Sequence, residues 1–181
     1  MDDILDFDGI VPVSTVDWHG HSSVVVFVGD CPFKCPYCQN YKTLEQVNFA
    51  TTDAVWEKIR PSIGFVNAIV FSGGEPTIWG RTLIDLARRA KKKGLLVGVQ
   101  SSGIGEKAIY QLVDSGVIDK FFIDVKAPLE NHAYMKALGL REKHCLNNYV
   151  VNALGNSLRL IDESPAELEL RTTVFRSING T

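Results

Sequence analysis

Residues 24–38 read Val24-Val25-Val26-Phe27-Val28-Gly29-Asp30-Cys31-Pro32-Phe33-Lys34-Cys35-Pro36-Tyr37-Cys38. The first five are β-branched or aromatic with no polar break, as expected of a strand buried on both faces of a parallel sheet. Gly29 ends the run, and the strand delivers the chain to a tight loop that points three thiols inward. Pro32 and Pro36 fix φ locally and keep that loop from winding into a helix. Three thiolates are too few to close a structural metal site, which normally takes four ligands. They suit a four-iron cluster with one iron left open for a small molecule. A zinc site or a redox pair is the competing reading. It needs a fourth ligand, and the one other cysteine, Cys145, is far along the chain.

Outward from this stretch the same pattern repeats. Thr52 is placed to cap a helix over residues 53–60, which Pro61 and Gly64 end. Residues 68–71 are again a continuous apolar run, opening into Gly73-Gly74-Glu75-Pro76, where glycines admit close backbone approach to a ligand. A helix is expected over 81–93, with Leu83, Ile84, Ala87 and Ala90 on one face and Gly94 as its C-terminal cap. The third strand, 95–99, ends at Gln100-Ser101-Ser102-Gly103. A third helix follows over about residues 105–115. The fourth strand, 121–126, ends at Asp124 and Lys126. Helical patterning resumes at 130–138 and again at 142–154, where Cys145 reads as a buried small side chain. Residues 167–175 form the fifth strand.

Strands alternate with amphipathic helices, so the fold class is α/β with parallel strands. Residues 1–22 read as an N-terminal lead-in, with an extended piece at 11–16 and a surface turn at 17–22 carrying His19 and His21. Residues 23–181 read as one domain. The cysteine loop, residues 73–76 and 100–103, Asp124 with Lys126, and the region of Arg171 all fall at C-terminal strand ends. That is the edge where parallel α/β sheets bind ligands.

Composition narrows the function classes. With 181 residues, 45% hydrophobic and 22% charged, the chain reads as one soluble globular domain. A formal net charge of -2 speaks against a nucleic-acid surface. Lys91-Lys92-Lys93 reads as the solvated end of a helix. No stretch reaches the ~18 continuous apolar residues of a membrane span, and Met1-Asp2-Asp3-Ile4 lacks the basic start of a signal peptide. Three cysteines within one short loop are metal spacing rather than a disulfide framework. A reducing cytoplasm is the expected compartment.

Cys31-x-x-x-Cys35-x-x-Cys38 with the aromatic Tyr37, followed by Gly73-Gly74-Glu75-Pro76, resembles the signature of the radical S-adenosylmethionine enzymes. The resemblance implies a partial, open (βα)6-type barrel. It spans about residues 10–176, and the chain stops at Thr181 just after the fifth strand, so the family's last strand is expected to be missing. It implies that Cys31, Cys35 and Cys38 bind three irons of a [4Fe-4S] cluster whose fourth iron is chelated by S-adenosylmethionine. Tyr37 would lie near the adenine, and residues 73–76 would meet the methionine amino group.

Within that family the pattern resembles the activating enzymes of glycyl radical enzymes, closest to those of anaerobic ribonucleotide reductase and pyruvate formate-lyase. Asp17 and Gly20 match their Asp-Gly-Pro-Gly element, whereas Trp18 and His19 do not. Gln39-Asn40 stands where the family has His-Asn. Asp124-Val125-Lys126 matches Asp-Leu-Lys, and Arg171-Thr172-Thr173-Val174 matches the strand whose Arg faces the cofactor. Gln100-Ser101-Ser102-Gly103 aligns with Asp-Thr-Asn-Gly and departs from it at the residue tied in some activases to a monovalent cation. The implied catalytic set is Cys31, Cys35, Cys38, Asp124 and Lys126. The implied cofactor contacts are Tyr37, Asn40, Gly73, Gly74, Glu75, Pro76, Ser101, Ser102, Asp124 and Arg171. Lys126 reads alternatively as a snorkelling surface lysine, and Asp124 as a structural acceptor. The implied partners are a glycyl radical enzyme and a flavodoxin- or ferredoxin-type electron donor, without nucleic acid or membrane. Competing functions are a radical enzyme acting on a small molecule, as in 7-carboxy-7-deazaguanine synthase, a non-catalytic iron–sulfur protein, and a zinc module.

Overall fold

The computed structural model describes residues 4–44, 47–140, 149–176 and 179. In chain order the elements are β1 (Ile4–Ser14), β2 (Ser23–Val28), β3 (Phe49–Thr51), α1 (Thr52–Ile59), β4 (Ala68–Gly73), α2 (Gly80–Lys92), β5 (Leu96–Ser101), α3 (Glu106–Asp114), β6 (Lys120–Asp124), α4 (Asn131–Leu138), α5 (Tyr149–Asp162) and β7 (Glu167–Arg171). They form one seven-stranded sheet in the order β3-β1-β2-β4-β5-β6-β7. Strands β2, β4, β5, β6 and β7 run parallel. The end strands β3 and β7 lie at opposite edges, so the sheet is open rather than closed into a barrel. The five parallel strands are those expected from the apolar runs.

The lead-in is where expectation and structure part. Residues 4–14 are a full strand, antiparallel to both β2 and β3. Two register shifts, between Phe7 and Gly9 and between Val11 and Ser14, break the alternation that would have marked it as a strand. Pro12 is tolerated because β3 pairs with Ile4, Leu5 and Asp6 alone, leaving that edge of β1 free of ladder bonds at the proline. The cap of α1 is Thr51 rather than Thr52: its hydroxyl accepts the Ala54 N–H at 3.2 Å, while Thr52 is buried in the first turn. Helix α5 runs on past residue 154 and buries Ser157 and Ile161. The expected start of that helix and Cys145 lie outside the described residues.

The two faces of the sheet are filled differently. On one, Val24, Val26, Ile69, Phe71, Val97, Val99, Phe121 and Ile123 join helix residues such as Leu83, Leu86, Ile109, Leu112 and Leu154 in the main core. On the other, Val25, Ala68, Val70 and Phe122 form a small cluster around Trp18. The turn at residues 17–22 therefore does more than join strands. Trp18 is buried and meets Phe122 edge-on at 5.5 Å and His21 at 5.2 Å, while His19 is exposed. Gly98 makes room for it: a Cβ there would lie 2.8 Å from Phe122 and 3.0 Å from Trp18. Among the described residues no helix is long and apolar enough to cross a membrane.

Candidate active site

The cysteine loop is pinned on both flanks by main-chain bonds. The Gly29 N–H donates to Asp6 O at 2.9 Å, Gly74 N–H to Val28 O at 2.7 Å, and Glu75 N–H to Asp30 O at 2.9 Å. Trp79 Nε1 donates to Gly29 O at 3.1 Å, and Asn40 Nδ2 donates to Gly73 O at 2.7 Å. Asp30 turns the chain with φ +60°, a conformation that Asp tolerates better than most residues. The glycines of residues 73–76 have a reason within the chain itself. A Cβ on Gly73 would lie 2.4 Å from Val28 O, and one on Gly74 would lie 2.0 Å from Asp30 O. The two loops touch backbone to backbone.

All three thiols are half-buried and line one cavity of about 360 Å³ at the C-terminal ends of the parallel strands. Burial pushes the Cys31 thiol up to about 12, against the lowering effect of the Phe33 N–H. Burial also raises Cys35, moderated by the Lys126 ammonium facing it. Among the described residues no three His, Cys, Asp or Glu side chains form a set that could hold a single metal ion. A polynuclear cluster places one thiolate on each iron, which the spread of these thiols around a shared cavity fits.

Glu75 is buried and fully engaged. Its Oε1 accepts from Thr77 Oγ1 at 2.8 Å and from Ser101 Oγ at 2.8 Å. Its Oε2 accepts from Ser102 N at 2.9 Å and Ser102 Oγ at 2.6 Å. Ser101 and Ser102 thus orient the carboxylate from the neighbouring strand. Pro76 starts the short turn that Glu75 caps and is the one expected site residue that does not line the cavity.

The opposite wall is charged. Lys126 Nζ donates to Asp124 Oδ2 at 2.9 Å, with the lysine side chain 16% exposed. Burial disfavours its charge, but Asp124 more than offsets this and holds its pKa above the ordinary lysine range. Lys126 is therefore not a snorkelling surface residue. Tyr37 OH donates to Lys126 O at 3.3 Å, and its ring stacks on Phe175 with centroids 5.7 Å apart. Arg171 donates through Nη2 to Asp17 O at 2.9 Å and through Nε to Glu169 Oε1 at 2.7 Å. Its guanidinium lies over the Phe122 ring, 4.1 Å from the centroid.

Asp17 and Ser72 also line the cavity and were not among the expected site residues. Ser72 Oγ donates to Gln100 Oε1 at 2.6 Å, and Gln100 Nε2 donates to Asp17 Oδ1 at 3.5 Å. The register of β4 on β5, which pairs Phe71 with Val99, brings Ser72 beside Gln100 on one face, and alternation within either strand alone does not show this. No local pattern announces Phe175, which reaches Tyr37 only through the path of the chain after β7.

Residues 25–153 match the family model of the Radical SAM superfamily. This chain belongs to that superfamily. Radical SAM proteins use a [4Fe-4S] cluster and S-adenosylmethionine, and the cysteine loop here has the donors such a cluster takes. Two curated relatives carry the provisional name of glycyl-radical enzyme activating enzyme. One, from Methanocaldococcus jannaschii, is 34% identical over 91% of this chain and 66% of its own length. The other, from Haemophilus influenzae, is 32% identical over 65% of this chain and 45% of its own. The chain thus spans about half to two thirds of the relatives it matches. The solved structure of TYW1 with a lysine-pyruvate adduct bound is similar in fold, with a TM-score of 0.62 at 19% identity, covering 87% of this chain and 57% of that one.

Proposed function

We propose that this radical SAM protein installs a glycyl radical on a partner protein, with anaerobic ribonucleotide reductase as the first candidate and a flavodoxin- or ferredoxin-type electron donor. The observation that carries this reading is the 34% identity, along 91% of the chain, to a relative named for that activity. When bound, the cluster and S-adenosylmethionine supply one-electron cleavage of the sulfonium and a 5′-deoxyadenosyl radical able to abstract hydrogen.

The chain's own residues bind and orient. Cys31, Cys35 and Cys38 hold three irons. Glu75, held by Thr77, Ser101 and Ser102, fixes a negative charge at the cavity wall, which favours a methionine ammonium placed beside it. Lys126, neutralised on one side by Asp124, presents a cation to the same space. Tyr37, backed by the stacked ring of Phe175, provides an aromatic surface for the adenine. Asp17, Gln100 and Arg171 also line the cavity, with groups suited to a peptide backbone. The open sheet leaves a side by which an extended loop can enter. A reducing cytoplasm suits the three free thiols.

The test is anaerobic reconstitution, reduction with S-adenosylmethionine in the presence of a candidate reductase, and electron paramagnetic resonance. A glycyl doublet on the partner is expected, and Cys31→Ala, Cys35→Ala and Cys38→Ala should each lose the cluster. Steady release of 5′-deoxyadenosine without any protein radical, across candidate partners and with the chain at its relatives' full length, would turn the assignment to a small-molecule substrate.

A further inference from the structure

Helix α4 carries none of the expected site residues, and neither Tyr134 nor Gly139 lines the cavity. Yet it touches both walls. Tyr134 is completely buried. Its hydroxyl accepts the Lys126 N–H at 3.0 Å and donates to Asp124 O at 3.1 Å. Both hydrogen-bonding functions of the phenol are thus spent on the strand end that bears Asp124 and Lys126. Burying a hydroxyl is costly unless it is paired, and phenylalanine would fill the same core volume, so the oxygen is there for this bond.

At its other end α4 meets the cysteine loop. Leu138 O accepts the Lys34 N–H at 2.9 Å. The helix ends at Gly139 in the left-handed conformation, φ +68°, and a Cβ there would lie 2.0 Å from Lys34 O and 2.7 Å from Lys34 C. Lys34 lies inside the cysteine loop, immediately before Cys35. Gly116 gives the contrast: just past α3 it has φ +64° and nothing within 4 Å of a built Cβ. Both glycines satisfy a helix end, but only Gly139 also admits a neighbouring backbone. The bond from Tyr37 OH to Lys126 O closes the third side of a triangle of cysteine loop, strand end and α4.

We infer that α4 sets the spacing between the cysteine loop and the Asp124–Lys126 strand end, with Tyr134 and Gly139 as positioning residues. This rests on the reading that the three cysteines hold the cluster and that Lys126 faces the bound S-adenosylmethionine.

Three variants of the full chain test it: Gly139→Ala, Tyr134→Phe and Gly116→Ala. The readouts are iron per chain, the paramagnetic spectrum of the reduced cluster with and without S-adenosylmethionine, and the thermal midpoint. Gly116→Ala should lower the midpoint and leave iron content and spectrum as in the parent. Gly139→Ala, assayed where circular dichroism shows it folded, should load less than half the parent's iron or give a changed spectrum. Tyr134→Phe should keep its iron but need about five- to tenfold more S-adenosylmethionine for the spectral change, the scale of one lost hydrogen bond. If Gly139→Ala matches Gly116→Ala in cluster properties, or Tyr134→Phe titrates like the parent, the inference is wrong for that contact. Should Gly139→Ala not fold, Tyr134→Phe decides, because its packing is preserved. A parent protein that takes up no cluster, or ignores S-adenosylmethionine, would sink the reading of the site and this inference with it.

Discussion

The two flanks of the cavity are built on opposite principles. On the β2–β4 flank, main chain lies on main chain. Gly73 and Gly74 have no room for a Cβ against the backbone of Val28 and Asp30. On the β6–β7 flank, long side chains do the work. Lys120 reaches Glu169 at 2.9 Å, and Glu169 accepts from Arg171 at 2.7 Å. Arg171 in turn reaches Asp17. The first flank carries the thiols and tolerates almost no displacement. The second borders the open edge of the sheet, where solvent screens charge and side chains re-orient at little cost. A cluster held by short thiols needs fixed backbone, whereas a face that admits a partner's loop can be lined by adaptable charges.

The largest effect that would break this contrast is expected at Gly74. Gly74→Ala places a methyl against Asp30 O, and only backbone movement relieves it. A loss of about 3 kcal/mol or more is expected, the upper range for overpacking, together with loss of the cluster. Chemical denaturation and iron content measure both, and a variant as stable as the parent would show that the flank is not tight. Glu75→Ala comes next. It strands the donors of Thr77, Ser101 and Ser102, at a cost of about 2–3 kcal/mol for buried hydrogen bonds to a charged group. It should keep the cysteines' iron while weakening the response to S-adenosylmethionine. An unchanged midpoint with full cofactor affinity would reduce residues 73–76 to a turn.

The smallest effect belongs to the charged flank. Burial would raise the Glu169 carboxyl, but hydrogen bonds from Lys120 and Arg171 overcome this and hold it below its ordinary value. A depressed carboxylate contributes stability that is present above its unfolded pKa and lost as pH falls through the folded one. With the side chain 33% exposed, the contribution is under about 1 kcal/mol. Glu169→Gln should melt slightly lower than the parent at pH 7, and the gap should close as pH drops below about 4. A gap that persists unchanged to pH 3 would mean that the carboxylate's charge is not what counts.

Much of the fold was legible because the signals are local. Runs such as Val24–Val28 mark strands buried on both faces, and Gly94 and Gly116 mark helix ends. Strand β1 was not legible, because its register shifts scramble the alternation by which strands are recognised, and Trp18 looks like any turn tryptophan until the second face of the sheet exists for it to cover. In the site, the thiols, Glu75, Asp124 and Lys126 announced themselves by type and by position at strand ends. The partners of Glu75 did not. Ser101 and Ser102 resembled cofactor contacts, and only the placement of β5 beside β4 turns their hydroxyls onto its carboxylate.

The sequence by itself determined the order of the five parallel strands and the helices between them, the three-cysteine spacing and the edge of the sheet where chemistry belongs, since each depends on residues a few positions apart. Tertiary structure alone decided which distant residues meet. Asp17 reaches Arg171 because β1 returns antiparallel beside β2 and its following turn drops Trp18 onto the far face of the sheet. Tyr134 reaches Lys126, and Gly139 reaches Lys34, because α4 folds back from β6 to the loop after β2. Such pairings depend on strand order and register, which no local run of residues encodes.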